Sequence, residues 1–179
     1  VGKSEKTSIK FNVLYFARCD IEEAIIPAEI EIIKEYSFYN YSKLKKVIFP
    51  SNSEIKIIED NAFSCTPLES IEFLSEKVEI GQNFFSSCYN LATISFPNAN
   101  EIVFNNNDSM DGISIDTEII VKNGAKLNGP CIEKIQNQIK RIDESKNISQ
   151  EKENKNEIIN RNDYCKLLIN RILFLENQL

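Results

Sequence analysis

The stretch Ile80-Gly81-Gln82-Asn83-Phe84-Phe85-Ser86-Ser87-Cys88-Tyr89-Asn90-Leu91-Ala92-Thr93-Ile94-Ser95-Phe96-Pro97 decides the fold, because both of its halves recur elsewhere in the chain. The second half, Leu91-x-x-Ile94-x-Phe96-Pro97, returns as Ile21-x-x-Ala24-x-Ile26-Pro27, Leu44-x-x-Val47-x-Phe49-Pro50 and Leu68-x-x-Ile71-x-Phe73-Leu74. These rows start at 21, 44, 68 and 91, giving periods of 23, 24 and 23 residues. The first half returns as Ile33 with Phe38 and Ile58 with Phe63, each isoleucine five residues before its Phe, as Ile80 is before Phe85. Counting back three residues from each leucine reaches Tyr41, Cys65 and Cys88, which reads the two cysteines as equivalent positions in adjacent repeats.

A fixed period of this length is the signature of a solenoid. Each apolar-x-x-apolar-x-apolar row is a short strand whose alternate side chains point one way. One such strand cannot bury that face alone. Stacked coils can, through parallel ladders and a continuous core. Proline closes three of the four rows and stops the ladder, because it has no N–H to donate. Phe38, Phe63 and Phe85 are expected to line the wall opposite the strands, with irregular or short helical returns between. Four strands about 4.8 Å apart make a sheet only about 20 Å long.

The rows resemble the BspA-like, or treponemal-type, leucine-rich repeat, with Ile80-Gly81-x-x-Phe84-Phe85-x-x-Cys88-x-x-Leu91 the best match. The lead-in from Phe11 to Glu23 resembles that of trichomonad members of the family. The resemblance covers about Val13 to Phe104. It departs where Lys34 and Glu59 stand at the place of Gly81, where Tyr41 stands at the cysteine place, and where one residue is missing between Phe63 and Cys65. It implies a non-enzymatic protein of the cell surface that adheres to or recognises other macromolecules.

By the two-residue period, the outward face of the strands carries Glu23 and Ile25, Lys46 and Ile48, Ser70 and Glu72, and Thr93 and Ser95. This is the candidate ligand strip, for a protein or a glycan. Its alternative is a solvated face with no ligand. It has few aromatics and no stripe of one charge, so affinity per repeat is expected to be modest.

Composition removes other functions. The chain has 179 residues and a net charge of −6, which argues against nucleic acid as a partner. It has no His, which removes imidazole acid–base work, His-based nucleophile pairs and most zinc sites. Only 5 glycines leave little room for phosphate-cradling loops. The cysteines Cys19, Cys65, Cys88, Cys131 and Cys165 are odd in number and contain no CxxC pair, so neither a disulfide framework nor a zinc signature is present. Cys65 and Cys88 read as small core side chains, with a bridge between them as the alternative. The Asn105–Asp108 cluster lacks EF-hand spacing and reads as a polar turn. No catalytic, cofactor or metal residues are assigned. Asn40-Tyr41-Ser42, Asn107-Asp108-Ser109 and Asn147-Ile148-Ser149 have the glycosylation pattern.

The ends read differently from the repeats. Ser8 to Phe16 is strand-like and is expected to cap the first coil. Ile113-Ser114-Ile115 and Ile119-Ile120-Val121 are expected to add last strands, and Asn123-Gly124 and Asn128-Gly129-Pro130 to turn. Residues 1–129 therefore form the solenoid and 130–179 a helical tail. Up to Pro130 there are 12 basic against 19 acidic residues, a net of −7; beyond it there are 9 against 8, a net of +1. Ile132, Ile135, Ile139 and Ile142 form one stripe at helical spacing. A charged run from Asp143 to Asn156 separates it from a second stripe of Ile158, Cys165, Leu168, Ile172, Leu175 and Leu179. The tail is read as a cap on the open end, a homodimeric coiled coil through 158–179, or a hairpin docking on a partner. No run of 18 apolar residues spans a membrane and no signal peptide opens the chain, which begins at Val1 as if cut from a longer protein. The expected location is the cell surface or outside it, by the resemblance. The alternative is a cytoplasmic scaffold that self-associates through its tail.

Overall fold

The computed structural model describes residues 12–15 and 21–143. In chain order its elements are β1 (Val13–Leu14), β2 (Glu23–Ile25), β3 (Ile32–Ile33), β4 (Lys46–Ile48), β5 (Ile57–Ile58), β6 (Ser70–Glu72), β7 (Lys77–Ile80), β8 (Thr93–Phe96), β9 (Glu101–Phe104), β10 (Glu118–Lys122), β11 (Lys126–Asn128), α1 (Ile132–Ile135) and β12 (Ile139–Ile142), with a 3-10 turn at Gln136–Gln138 between the last two. Two six-stranded sheets result, all pairs parallel, in the orders β1-β3-β5-β7-β9-β11 and β2-β4-β6-β8-β10-β12. Each coil thus crosses from one sheet to the other and back, and the whole is a leucine-rich-repeat β-solenoid.

The four repeated rows form β2, β4, β6 and β8, as their alternation predicts. Ala24, Val47, Ile71, Ile94, Ile119 and Ile139 follow one another in register down the inner side of this sheet. Phe49, Phe73 and Phe96 stack beside them, with ring centroids 5.1 Å apart at each step. The returns hold more structure than expected. Ile33, Ile58, Ile80 and Phe104 lie in register in a second sheet rather than in irregular returns. Its strands are as short as two residues, too short to stand out from the Phe motif that follows them.

Phe38, Phe63 and Phe85 are buried and form the expected ladder, with centroid steps of 5.0 and 5.9 Å. Phe84 lies 6.3 Å from Phe63 and 6.2 Å from Phe73, joining the ladder to the aromatic column of the opposite sheet. Beside this ladder the chain turns through left-handed residues at matching places: Tyr36, Asn61 and Asn83, then Asn40, Cys65 and Ser87. Buried hydroxyls replace backbone partners in the turns. The single Ser37 hydroxyl proton has the Lys34, Leu14 and Tyr15 carbonyl oxygens within reach, Lys34 nearest at 2.7 Å, and Ser64 Oγ donates to the Asn83 carbonyl. Gly129 has φ +131°, and a Cβ there would sit 2.1 Å from the Phe104 carbonyl oxygen, so the last full turn requires glycine.

Three expectations change. Ile132 to Ile142 is not one helix: only Ile132–Ile135 is helical, and Ile139–Ile142 is β12, parallel to β10. The reason is the neighbouring ladder. Lone four-residue spacing gives a helix only marginal stability, whereas β10 offers a full row of backbone groups to pair with. Ile113–Ile115 forms no strand, and Ile115 is 86% exposed. Cys65 is not the counterpart of Cys88. It takes the left-handed place of Asn40 and Ser87 and is half-buried, while Thr66 lies against Cys88, Oγ1 to Sγ 3.3 Å. The shortened repeat loses its residue after Thr66, so counting forward from Phe63 finds the right register and counting back from Leu68 does not. The second stripe of the tail, Cys19, Cys165 and Asn147 lie outside the described residues. So does the strand-like lead-in apart from 12–15, where Val13–Leu14 starts the second sheet.

Candidate functional site

The parallel register turns the outward residues of the first sheet into two rows. Glu23, Lys46, Ser70, Thr93 and Glu118 follow one another directly. Beside them run Ile25 and Ile48, then Glu72, Ser95, Ile120 and Lys140. Lys46, Ser70 and Glu72 are exposed, and Glu23, Ile25, Ile48 and Thr93 are half-buried. Ser95 is buried instead of exposed, at 9%. Its short side chain lies in the row between Glu72 and Ile120, both longer.

A shallow open groove crosses this face, lined by Glu22, Glu23, Lys45, Lys46, Glu69 and Ser70. Charges alternate along it. Lys45 Nζ lies 3.5 Å from Glu22 and Lys46 Nζ 3.9 Å from Glu23. Lys140 pairs with Glu118 farther along. Exposed pairs such as these contribute little to stability, about 0–1 kcal/mol each.

The second sheet carries an outward face that reading the sequence did not single out. Lys56 pairs with Glu31 at 2.7 Å, and Lys77 with Glu101 at 3.2 Å and Glu79 at 3.5 Å. The hydrogen bond to Glu101, helped by its charge, holds Lys77 above the usual lysine range. The signal was present as the alternation Glu101-Ile102-Val103-Phe104 and Lys77-Val78-Glu79-Ile80.

Other candidates resolve into structure. Cys88 and Cys131 are buried free thiols, and burial pushes both thiols up, away from the reactive thiolate. Cys65 is also free, so no bridge joins it to Cys88. In the loop after β9, the Lys134 ammonium lies 3.0 Å from the Asn107 carbonyl oxygen, 3.2 Å from Asp111 and 3.6 Å from Asp108. The Asn-rich turn therefore closes on a cation of the protein itself. Among the described residues no three His, Cys, Asp or Glu side chains gather as metal ligands, and no helix is long and apolar enough to cross a membrane. Asn40 and Ser42 of the first sequon are exposed, whereas Ser109 of the second is buried and donates to the Ile80 carbonyl.

A family model described as "BspA type Leucine rich repeat region" matches residues 7–131 in 6 copies. Among solved structures, the pneumococcal vaccine antigen PcpA is similar at 21% identity and a TM-score of 0.45, over 65% of this chain and 32% of that one. A leucine-rich repeat protein from Bacteroides ovatus is similar at 18% identity and a TM-score of 0.31, over 62% of this chain and 37% of that one. The match thus spans about a third of the length of either structure. A comparison with curated proteins gives no match.

Proposed function

The chain belongs to the BspA-type leucine-rich-repeat family, and from that premise we propose that it is a non-catalytic protein-interaction module acting in adhesion or recognition at a cell surface. Repeats of this kind serve as binding scaffolds, and the observation that supports the reading here is the strand face. There Glu23, Lys46 and Ser70 follow one another in register and, with Glu22, Lys45 and Glu69, line one open groove of alternating charge. The ligand is a macromolecule, protein in the first instance, engaging several coils at once, because the groove is shallow and open and crosses from coil to coil.

The charge-neutral double change Lys46→Glu with Glu72→Lys tests it. The full chain and its variant are compared for binding to an array of immobilised host-cell and matrix proteins. The variant should lose binding at least about tenfold, while its stability moves by no more than about 0.5–1 kcal/mol, as expected for exposed sites. Unchanged binding to a protein that the parent chain captures would remove the strand face from the reading.

A further inference from the structure

Away from the strand face, the turns that follow the second sheet carry exposed tyrosines on the first coils. Tyr15, Tyr36 and Tyr39 are 65%, 53% and 46% exposed, and they are three of the five exposed large hydrophobic side chains among the described residues. Leu14 pairs in register with Ile33, and Ser37 Oγ lies 3.1 Å from the Tyr15 carbonyl oxygen, so the two turns lie side by side. The Tyr36 and Tyr39 rings meet edge to face, with centroids 5.5 Å apart and planes at 86°.

Tyr36 has φ 61°. The next two coils place Asn61 and Asn83 at the same turn, with φ 55° and 51°. Asparagine tolerates this left-handed conformation, whereas a bulky aromatic residue is strained in it. Burial does not offset the strain, since more than half of the Tyr36 side chain faces solvent. A strained residue held out in water points to a role outside the fold.

The surroundings state which chemistry suits it. Glu35 and Asp60 are exposed, and the Tyr36 N–H donates to the Asp60 carbonyl oxygen at 3.2 Å. Lys34 is held by Glu59, Nζ to Oε1 2.5 Å. Among the described residues of these turns, Lys34, Glu35, Glu59 and Asp60 supply one cation against three anions; Glu59 accepts from Lys34 and the Glu35 N–H and Asp60 from the Gln82 N–H, and the four carry a net −2. Aromatic faces beside surplus carboxylate favour a guanidinium or ammonium group, which stacks on the ring and pairs with the acid. We propose that the ridge of Tyr15, Tyr36 and Tyr39 docks an arginine- or lysine-bearing segment of a protein partner, independently of the strand face.

The probe is a dye-labelled nine-residue oligoarginine peptide, with a Gly-Ser peptide of equal length as control, titrated against the full chain at about 0.15 M salt, where long-range attraction is screened. Oligoarginine should bind and the control should not. Tyr36→Asn with Tyr39→Ser should weaken binding about tenfold without changing the net charge, while Tyr36→Phe with Tyr39→Phe keeps it within about twofold. The strand-face double change, also charge-neutral, should leave this binding alone, which separates the two surfaces. Tyr36→Asn alone should raise the melting temperature by about 3–6 °C, because it relieves the left-handed strain. Peptide binding that survives loss of both rings overturns the proposal. So does a melting temperature that falls on Tyr36→Asn, or capture of a neutral oligosaccharide in preference to the peptide.

Discussion

Phe63→Ala probes the packing that holds the coils together. Phe63 is fully buried and contacts Phe38, Phe84 and Phe85 at centroid distances of 5.0, 6.3 and 5.9 Å. It is therefore the junction of the ladder with the aromatic column of the opposite sheet, which Phe84 reaches through Phe73. Truncation removes the ring's transfer free energy and leaves a cavity that its neighbours cannot fill, since each is anchored in its own coil. Large-to-small changes of this type cost about 3–5 kcal/mol. For a solenoid of this size that is a fall in melting temperature of about 10–20 °C. Thermal and urea unfolding followed by far-UV circular dichroism measure it, with the exposed Tyr89→Ala as a control expected within about 0.5 kcal/mol. Because each coil touches only its neighbours, the loss should also broaden the transition, the first coils melting before the last. A Phe63→Ala protein that melts within a degree or two of the parent would refute the stacked-ladder register.

Two further outcomes follow from the site chemistry. In native thiol labelling Cys65 should react before Cys88 and Cys131, which react only when denaturant opens the core; equal rates at Cys65 and Cys88 would contradict a register that puts Thr66, not Cys65, against Cys88. The Asp111 hydrogen bond and the charges of Asp111 and Asp108 raise the Lys134 pKa, so its stabilisation is full below the unfolded lysine value of about 10.4 and is lost as pH rises through the folded one. The melting-temperature gap between the parent and Lys134→Met should accordingly be constant from about pH 7 to 9 and close as pH rises through the raised lysine value; a gap indifferent to pH would mean that Lys134 acts through packing alone.

Much of the fold is legible because a solenoid repeats its signals from coil to coil. Val47, Ile71 and Ile94 announce the first sheet, since each recurs at the same phase of its row. The second sheet is quieter. Ile57–Ile58 is two residues long, and nothing in a two-residue strand separates it from a loop unless its neighbours in adjacent coils are known. Cys65 shows the limit of alignment by eye. Where a repeat is one residue short, the place of the deletion decides which side chain enters the core, and Thr66 and Cys65 are both small enough to fit. Only the left-handed φ at Cys65 and the hydrogen bond between Thr66 and Cys88 distinguish them. On the candidate face the outward set is correct in register, yet Ser95 is buried while Glu72, its neighbour in register, is exposed, so the two-residue period fixes the side of a residue and not its exposure.

The stretch from Ile132 to Ile142, the last of the described coils, satisfies two periods at once. Its isoleucines satisfy a helical stripe as well as they satisfy a turn followed by a strand, and only the ladder of β10 selects the strand. Once there, the chain changes the character of its core. Phe96 is followed in register by Val121 and then by Arg141. The guanidinium of Arg141 donates to the Ala125 carbonyl oxygen at 3.1 Å and is exposed beyond it. A charged group at the foot of an apolar column satisfies backbone acceptors of the preceding turn and discourages another apolar coil from stacking there, as inward charges do at sheet edges. Beside it, half-buried Leu127, Ile132 and Ile139 leave the rest of the end apolar. A segment covering this end must therefore bring aliphatic side chains over those three and accommodate the charge of Arg141, a requirement that a uniformly apolar helix face does not meet.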